Sequence, residues 1–232
     1  MIFPISDDQV QGGHKPIVAY IFIAINVLVF LYEALLPQDQ LQDFVMTYGV
    51  IPYEIVRGQD LYTLLTNMFL HGGWLHLIGN MLFLWVFADN IEAVIGKFRF
   101  ILFYIGGGLA ATGAHILFNA NSPMPAVGAS GAISAVLGAY LVMFPASRVK
   151  VWVIYLFRSF HMPAIYFLGI WGVQQLINGL ISIIPNTAFT AGVAWWAHIG
   201  GFVFGLITGY LIRKMYERKY SRRKMYSWRD LV

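Results

Sequence analysis

Apolar runs, most of them about as long as the roughly 20 residues a helix needs to cross a bilayer, recur along the chain between short polar or glycine-rich breaks. The first, IVAYIFIAINVLVFLYEALL (residues 17–36), follows Pro16 and covers about 30 Å at about 1.5 Å per residue. Further runs are expected at 74–91, 100–118, 128–144, 163–184 and 194–212. The fourth is stopped by Pro145 and, at about 17 residues, is short for a full crossing. This pattern predicts an all-α polytopic membrane protein with six spans. Residues 37–70 are too broken by prolines and charges to span and form a long loop between spans 1 and 2. Residues 146–162 carry VWVIYLF among Arg148, Lys150 and Arg158, and are expected at the interface. The domain organisation is then a short tail (1–15), a membrane domain (16–212) and a basic tail (213–232).

Composition agrees. The chain is 59% hydrophobic and 11% charged, where soluble domains carry about 25% charged residues. It has no cysteine, which excludes disulfide and thiolate chemistry. The net charge of +4 does not point to nucleic acid, because eight of the fifteen Lys and Arg lie between Arg213 and Arg229, after the last span. Such a tail marks the cytoplasmic side and meets anionic lipid. With six spans, Lys15, Lys97, Arg99, Arg148, Lys150, Arg158 and the tail fall on one face and only Arg57 on the other. The positive-inside rule makes that face cytoplasmic, with both termini on it.

That topology aligns three polar stretches. Spans 2, 4 and 6 all enter from the outer face. His76 stands about two residues into span 2, Ser130 about two into span 4, and His198 about four into span 6. Asn80 is four residues after His76, on the same helical face. Polar side chains at such depth face the protein interior or a wet cavity and are a functional signal. Gly131 in span 4 and Gly201 and Gly205 in span 6 belong to small-xxx-small patterns that let helix backbones approach closely.

A serine hydroxyl needs an adjacent base to act as a nucleophile, and histidine is the usual one. Ser130 at a helix start offers free backbone N–H groups to an oxyanion, and His76 and Asn80 could add side-chain donors. No carboxylate is expected beside His198, so the pattern reads as a Ser130–His198 dyad. On its own, a serine amid Gly and Ala is a packing residue, and GASGA departs from the soluble GxSxG elbow at Ala132. His14, His115 and His161 are read as having no catalytic part. Neither HExxH nor a helical i, i+4 histidine pair is present, so no metal or other cofactor is expected.

HGGWLHLIGNM (71–81), GASG (128–131) and AHIGGFVFG (197–205) together resemble the rhomboid family of intramembrane serine proteases, over about residues 16–212. The resemblance implies a rhomboid-like six-helix bundle with a long outer loop and a water-accessible cavity. It implies Ser130 as nucleophile, His198 as base, and His76, Asn80 and the Ser130 N–H as the oxyanion site. It also implies transmembrane protein substrates cut near their outer end, a lipid environment, and, for the bacterial type, the inner membrane. Two positions depart from the family pattern. Tyr62 and Thr63 stand where a Trp-Arg pair is frequent, and Ser134 where some members have a tyrosine that stacks on the histidine. The other readings of the same residues are a non-catalytic binding or transport protein of this fold and a lipid-directed serine hydrolase.

Overall fold

A computed structural model describes residues 2–8, 14–184 and 193–221, with side chains to residue 218. Most of the uncharged loop expected at 185–193 and most of the basic tail therefore lie outside the described residues. In chain order the elements are strand β1 (Ile2–Ser6), helices α1 (Ile17–Leu35), α2 (Gln38–Tyr48), α3 (Pro52–Ile55), α4 (Thr63–Thr66), α5 (Trp74–Ile95), α6 (Lys97–Asn119) and α7 (Ser130–Met143), strands β2 (Arg148–Val153) and β3 (Arg158–Pro163), and helices α8 (Ala164–Ser182) and α9 (Trp195–Ser221).

Among the described residues, α1, α5, α6, α8 and α9 are long and apolar enough to cross a membrane. The fourth expected span, α7, has 14 residues, about 21 Å at about 1.5 Å per residue. It need not match the bilayer, because it does not face lipid. Every residue from Gly131 to Tyr140 is buried, and α7 packs against α5, α6, α8 and α9. Irregular backbone at either end of a short central helix is tolerated where protein surrounds it or a cavity abuts it. The outer helices show the converse: Leu28, Leu75, Leu117 and Ile170 are all well exposed from the protein, as residues solvated by lipid should be.

Charge sets the ends of the helices. The first N–H groups of α1 have no intrahelical acceptor. Glu92, fully buried near the end of α5, accepts from Val18 N–H at 3.2 Å and Ala19 N–H at 2.9 Å. A carboxylate there also meets the positive end of the helix dipole. Gly96 then reverses the chain into α6 with φ 81°, a conformation that side chains disfavour.

The long loop is more ordered than its composition suggests. It holds α2, α3 and α4, and it is bonded to the segment that precedes α7. Val50 and Ala126 form a two-bond bridge (3.0 and 2.8 Å), Tyr53 N–H donates to Ser122 C=O at 3.1 Å, and Gly128 N–H donates to Asn67 C=O at 2.8 Å. At the Trp-Arg departure, Tyr62 Oη donates to Thr47 C=O at 2.9 Å, and buried Thr63 donates to Asp60 C=O at 2.7 Å.

At the opposite, basic end, the segment expected at the interface is a β-hairpin. β1, from the expected N-terminal tail, joins it to give a three-stranded antiparallel sheet in the order β1-β2-β3. Val149 and Val151 are fully buried against the bundle. The polar root of this sheet is tied to α5 and α7. The Asp7 carboxylate accepts from Tyr140 Oη and from Asn90 Nδ2 (2.7 Å), and Tyr140 Oη is 2.8 Å from Ser147 Oγ.

Candidate active site

The small residues at the α7–α9 contact decide the geometry. A Cβ added to Gly201 would stand 2.1 Å from the Gly131 carbonyl oxygen, one on Gly205 2.0 Å from that of Ala135, and one on Gly138 2.2 Å from that of Phe202. No side chain fits, so the two backbones touch over successive turns, as small-residue helix contacts in membranes do. His198, three residues before Gly201 on α9, is thereby brought to the first residue of α7. Its Nε2 lies 2.8 Å from Ser130 Oγ.

The other ring nitrogen is also engaged. His198 Nδ1 is 2.9 Å from Oε1 of Gln175, a buried residue of α8. Gln175 Nε2 donates to the Trp171 carbonyl one turn back at 3.3 Å. That bond orients the amide, leaving its oxygen toward His198. Nδ1 therefore carries the proton, and Nε2 is free to accept from the Ser130 hydroxyl. Sequence reading missed Gln175 altogether: a lone glutamine in an apolar run has no spacing that ties it to a histidine 23 residues away. Ser134 donates to Ser130 C=O at 2.6 Å and makes no contact in place of the absent tyrosine. Trp171 and Trp195 instead stand beside the imidazole, each with its ring centroid 6.1 Å from it.

His76 and Asn80 face the same space. A cavity of about 770 Å³ is lined by His76, Asn80, Ser130, His198 and both tryptophans. His76 Nδ1 accepts from Gly72 N–H at 3.3 Å, which leaves Nε2 as the proton-bearing nitrogen. A Cβ built on Gly128 would sit 2.9 Å from His76 Nε2 and 3.5 Å from Ser130 Oγ, so one small group can be within reach of both. Gly128, at φ 133°, keeps that space open. Asn80 is buried and its Nδ2 has no hydrogen-bond partner among the described residues. The first i→i−4 bond of α7 runs from Ile133 N–H to Ala129 C=O, so the Ser130 N–H is among the helix's free donors.

The structure thus brings together all four polar residues singled out from the sequence, with Gly131, Gly201 and Gly205 at the helix contact. His115, read as uninvolved, also lines the cavity. A carboxylate does lie near this end: Glu33, buried in α1, accepts the His71 N–H at 3.2 Å. It serves His71, and no carboxylate contacts His198 among the described residues. Burial, with the neighbouring His76, lowers His71 to about 4, so it is neutral at physiological pH.

Comparison with known proteins decides the family. The Rhomboid domain profile matches residues 58–215. The chain belongs to the rhomboid family. It is similar to rhomboid protease GluP of Bacillus subtilis, 33% identical over 138 residues, 60% of this chain and 26% of that protein. It is 27% identical to mitochondrial Rhomboid protein 1 of Saccharomyces cerevisiae over 90% of this chain and 57% of that one. It is also 27% identical to putative rhomboid protease YdcA of Bacillus subtilis, over 88% of this chain and 92% of that one. The chain thus spans about a quarter of GluP and just over half of the yeast protein. Rhomboid membership together with five apolar helices makes this an integral membrane protein with relatives named as proteases.

Proposed function

We propose that this rhomboid is an intramembrane serine endopeptidase that cuts transmembrane segments of other proteins, with Ser130 as nucleophile and His198 as general base. The observation that carries the proposal is the 2.8 Å contact between Ser130 Oγ and His198 Nε2, made inside a polar-lined cavity of a membrane protein. In this reading Ser130 Oγ attacks the scissile carbonyl as its proton passes to His198 Nε2. The oxyanion receives the Ser130 N–H, His76 Nε2–H and Asn80 Nδ2–H. Collapse expels the amine, which takes the proton from His198. Water then attacks the acyl carbon as its proton passes to the same nitrogen, and collapse releases the carboxylic acid while His198 returns that proton to Ser130 Oγ. The Gln175 bond holds the proton on Nδ1, so that Nε2 is the nitrogen that takes up and gives back the proton in each half of the reaction.

The positive-inside rule places the start of α5, α7 and α9 at the outer face, and both termini in the cytoplasm. Cleavage is then near the outer end of the substrate segment, in a bacterial cell membrane. Residues 16–212 form the catalytic membrane domain, lipid and transmembrane substrates are its partners, and no cofactor takes part. A helical amide has its carbonyl bonded within its own helix, so the substrate must unwind before it can react.

The test has two arms. Purified protein is treated with a fluorophosphonate probe and the labelled residue mapped by mass spectrometry. In parallel, single-span proteins are offered in liposomes. Label on Ser130 that disappears in Ser130→Ala and His198→Ala, with cleavage lost in the same variants, supports the protease. Label with ester cleavage but intact peptides replaces it with a lipid hydrolase. A folded protein with neither label nor cleavage replaces it with a non-catalytic membrane protein.

A further inference from the structure

The hairpin formed by β2 and β3 runs out from under the bundle. Its strands pair from Arg148↔Pro163 at the root to Val153↔Arg158 at the tip. Side chains alternate between faces. One face carries Val149 and Val151 with their cross-strand partners Met162 and Phe160. Val149 and Val151 are fully buried, and Met162 packs against the bundle core. Phe160, nearer the tip, is already 45% exposed. Beyond it Tyr155, Leu156 and Phe157 are 77%, 65% and 83% exposed. The face that meets the bundle at the root therefore continues past its edge as an apolar tip.

This tip is unlike an ordinary hairpin turn. Such turns use Gly, Asn or Asp where the backbone is left-handed. Here that position, φ 47°, is held by Phe157, a bulky residue that rarely adopts it. Within the hairpin itself the charge is of one sign, and Arg148 at its root is paired with Asp8. Residues 148–163 hold Arg148, Lys150, Arg158 and His161 and no acid. Lys97 and Arg99 in the first turn of α6 and Lys214 on α9 stand at the same end of the bundle, with Arg213 paired to Glu217. Exposed aromatic and aliphatic side chains beside Arg158, with further cations at the same end of the bundle, suit a surface with an acyl interior and anionic headgroups.

We propose that the hairpin tip, residues 154–157, is a foot that inserts into the anionic leaflet at the basic end of the bundle. The bundle already spans that membrane, so the leaflet lies where the sheet's inner face emerges. The foot ties the connection between α7 and α8 to the lipid, and these helices carry Ser130 and Gln175. The proposal does not depend on proteolysis, and its test does not read it.

The chain has no cysteine, so single reporters are easily placed. Leu156→Cys at the tip and Ser159→Cys, which pairs with Trp152 on the opposite face, are each labelled with an environment-sensitive fluorophore. The labelled proteins are reconstituted in phosphatidylcholine vesicles with or without phosphatidylglycerol. Water-soluble quencher is supplied on both sides of the membrane. At position 156 the emission shifts to the blue, falls with nitroxide-bearing lipid and resists the aqueous quencher. These effects grow with phosphatidylglycerol, and the label at 159 stays open to the aqueous quencher. Equal aqueous quenching at both positions overturns the foot. Insertion indifferent to phosphatidylglycerol overturns its preference for an anionic leaflet. Disulfide cross-linking of unlabelled Leu156→Cys at high lipid dilution assigns the tip to a second copy of the chain.

Discussion

Replacing Gln175 by methionine isolates one bond at the heart of the site. Methionine matches the length and flexibility of glutamine and keeps the packing of α8, but it removes the oxygen that stands 2.9 Å from His198 Nδ1. A neutral hydrogen bond contributes a net of about 0.5–1.5 kcal/mol. If that preference is spent on keeping Nε2 as the acceptor for Ser130, its loss lowers kcat by roughly two- to thirteen-fold. KM for a transmembrane substrate should hold, because Gln175 is buried behind the imidazole. The signature of positioning is spectroscopic. Nitrogen-15 shifts of His198 should report the Nδ1–H tautomer in the native protein and a mixture in Gln175→Met. Gln175→Glu, which keeps an acceptor oxygen at the same reach, should restore the tautomer. An unchanged kcat and tautomer in Gln175→Met would refute the reasoning. So would a rate loss accompanied by an equal fall in thermal stability with the tautomer intact, which would make Gln175 a packing residue only.

Gly201→Ala places a carbon 2.1 Å from the Gly131 carbonyl, about 1.3 Å inside the 3.4 Å at which ordinary contact begins (3.4 − 2.1). It should cost about 1–3 kcal/mol of stability and abolish fluorophosphonate labelling. Gly113→Ala, in open space on α6, should do neither, as read by thermal unfolding and labelling together. Asn80→Ala removes an amide nitrogen without a partner among the described residues. It should leave stability nearly unchanged and lower the cleavage rate by about 10²-fold or more, in a steady-state assay that would drop Asn80 from the oxyanion site if the rate held. Burial raises Asp7 to about 8 from 3.8. A carboxyl whose folded value is raised contributes stability that is complete below the unfolded value and is lost as pH rises through the folded one. Docking of β1 should therefore weaken between about pH 4 and about pH 8. Asp7→Asn should remove that dependence, followed by hydrogen exchange of residues 2–6 corrected for intrinsic rates.

The run lengths of apolar residues made the spans legible, because a helix in hydrocarbon must satisfy its own backbone and needs about 20 residues to cross. The placement of Lys and Arg predicts their orientation, and that orientation aligns the ends of the runs that carry His76, Ser130 and His198. The spacing of Gly201 and Gly205 announced a close helix contact. Those signals are local or add along one axis, so a linear sequence carries them. The rest depends on rotation about helix axes and on contacts between distant segments. Gln175 faces His198 only because of how α8 is turned against α9. Glu33 meets His71, and Glu92 caps α1, across 38 and 74 residues of chain. The short α7 is viable because four helices enclose it. The tail and the interfacial segment became one sheet because β1 found an unpaired edge on β2. Hydropathy determined that this protein lives in a membrane. Only tertiary packing decided which nitrogen of His198 meets Ser130, because a bond of that kind is set by side-chain direction, to which residue type and spacing are blind.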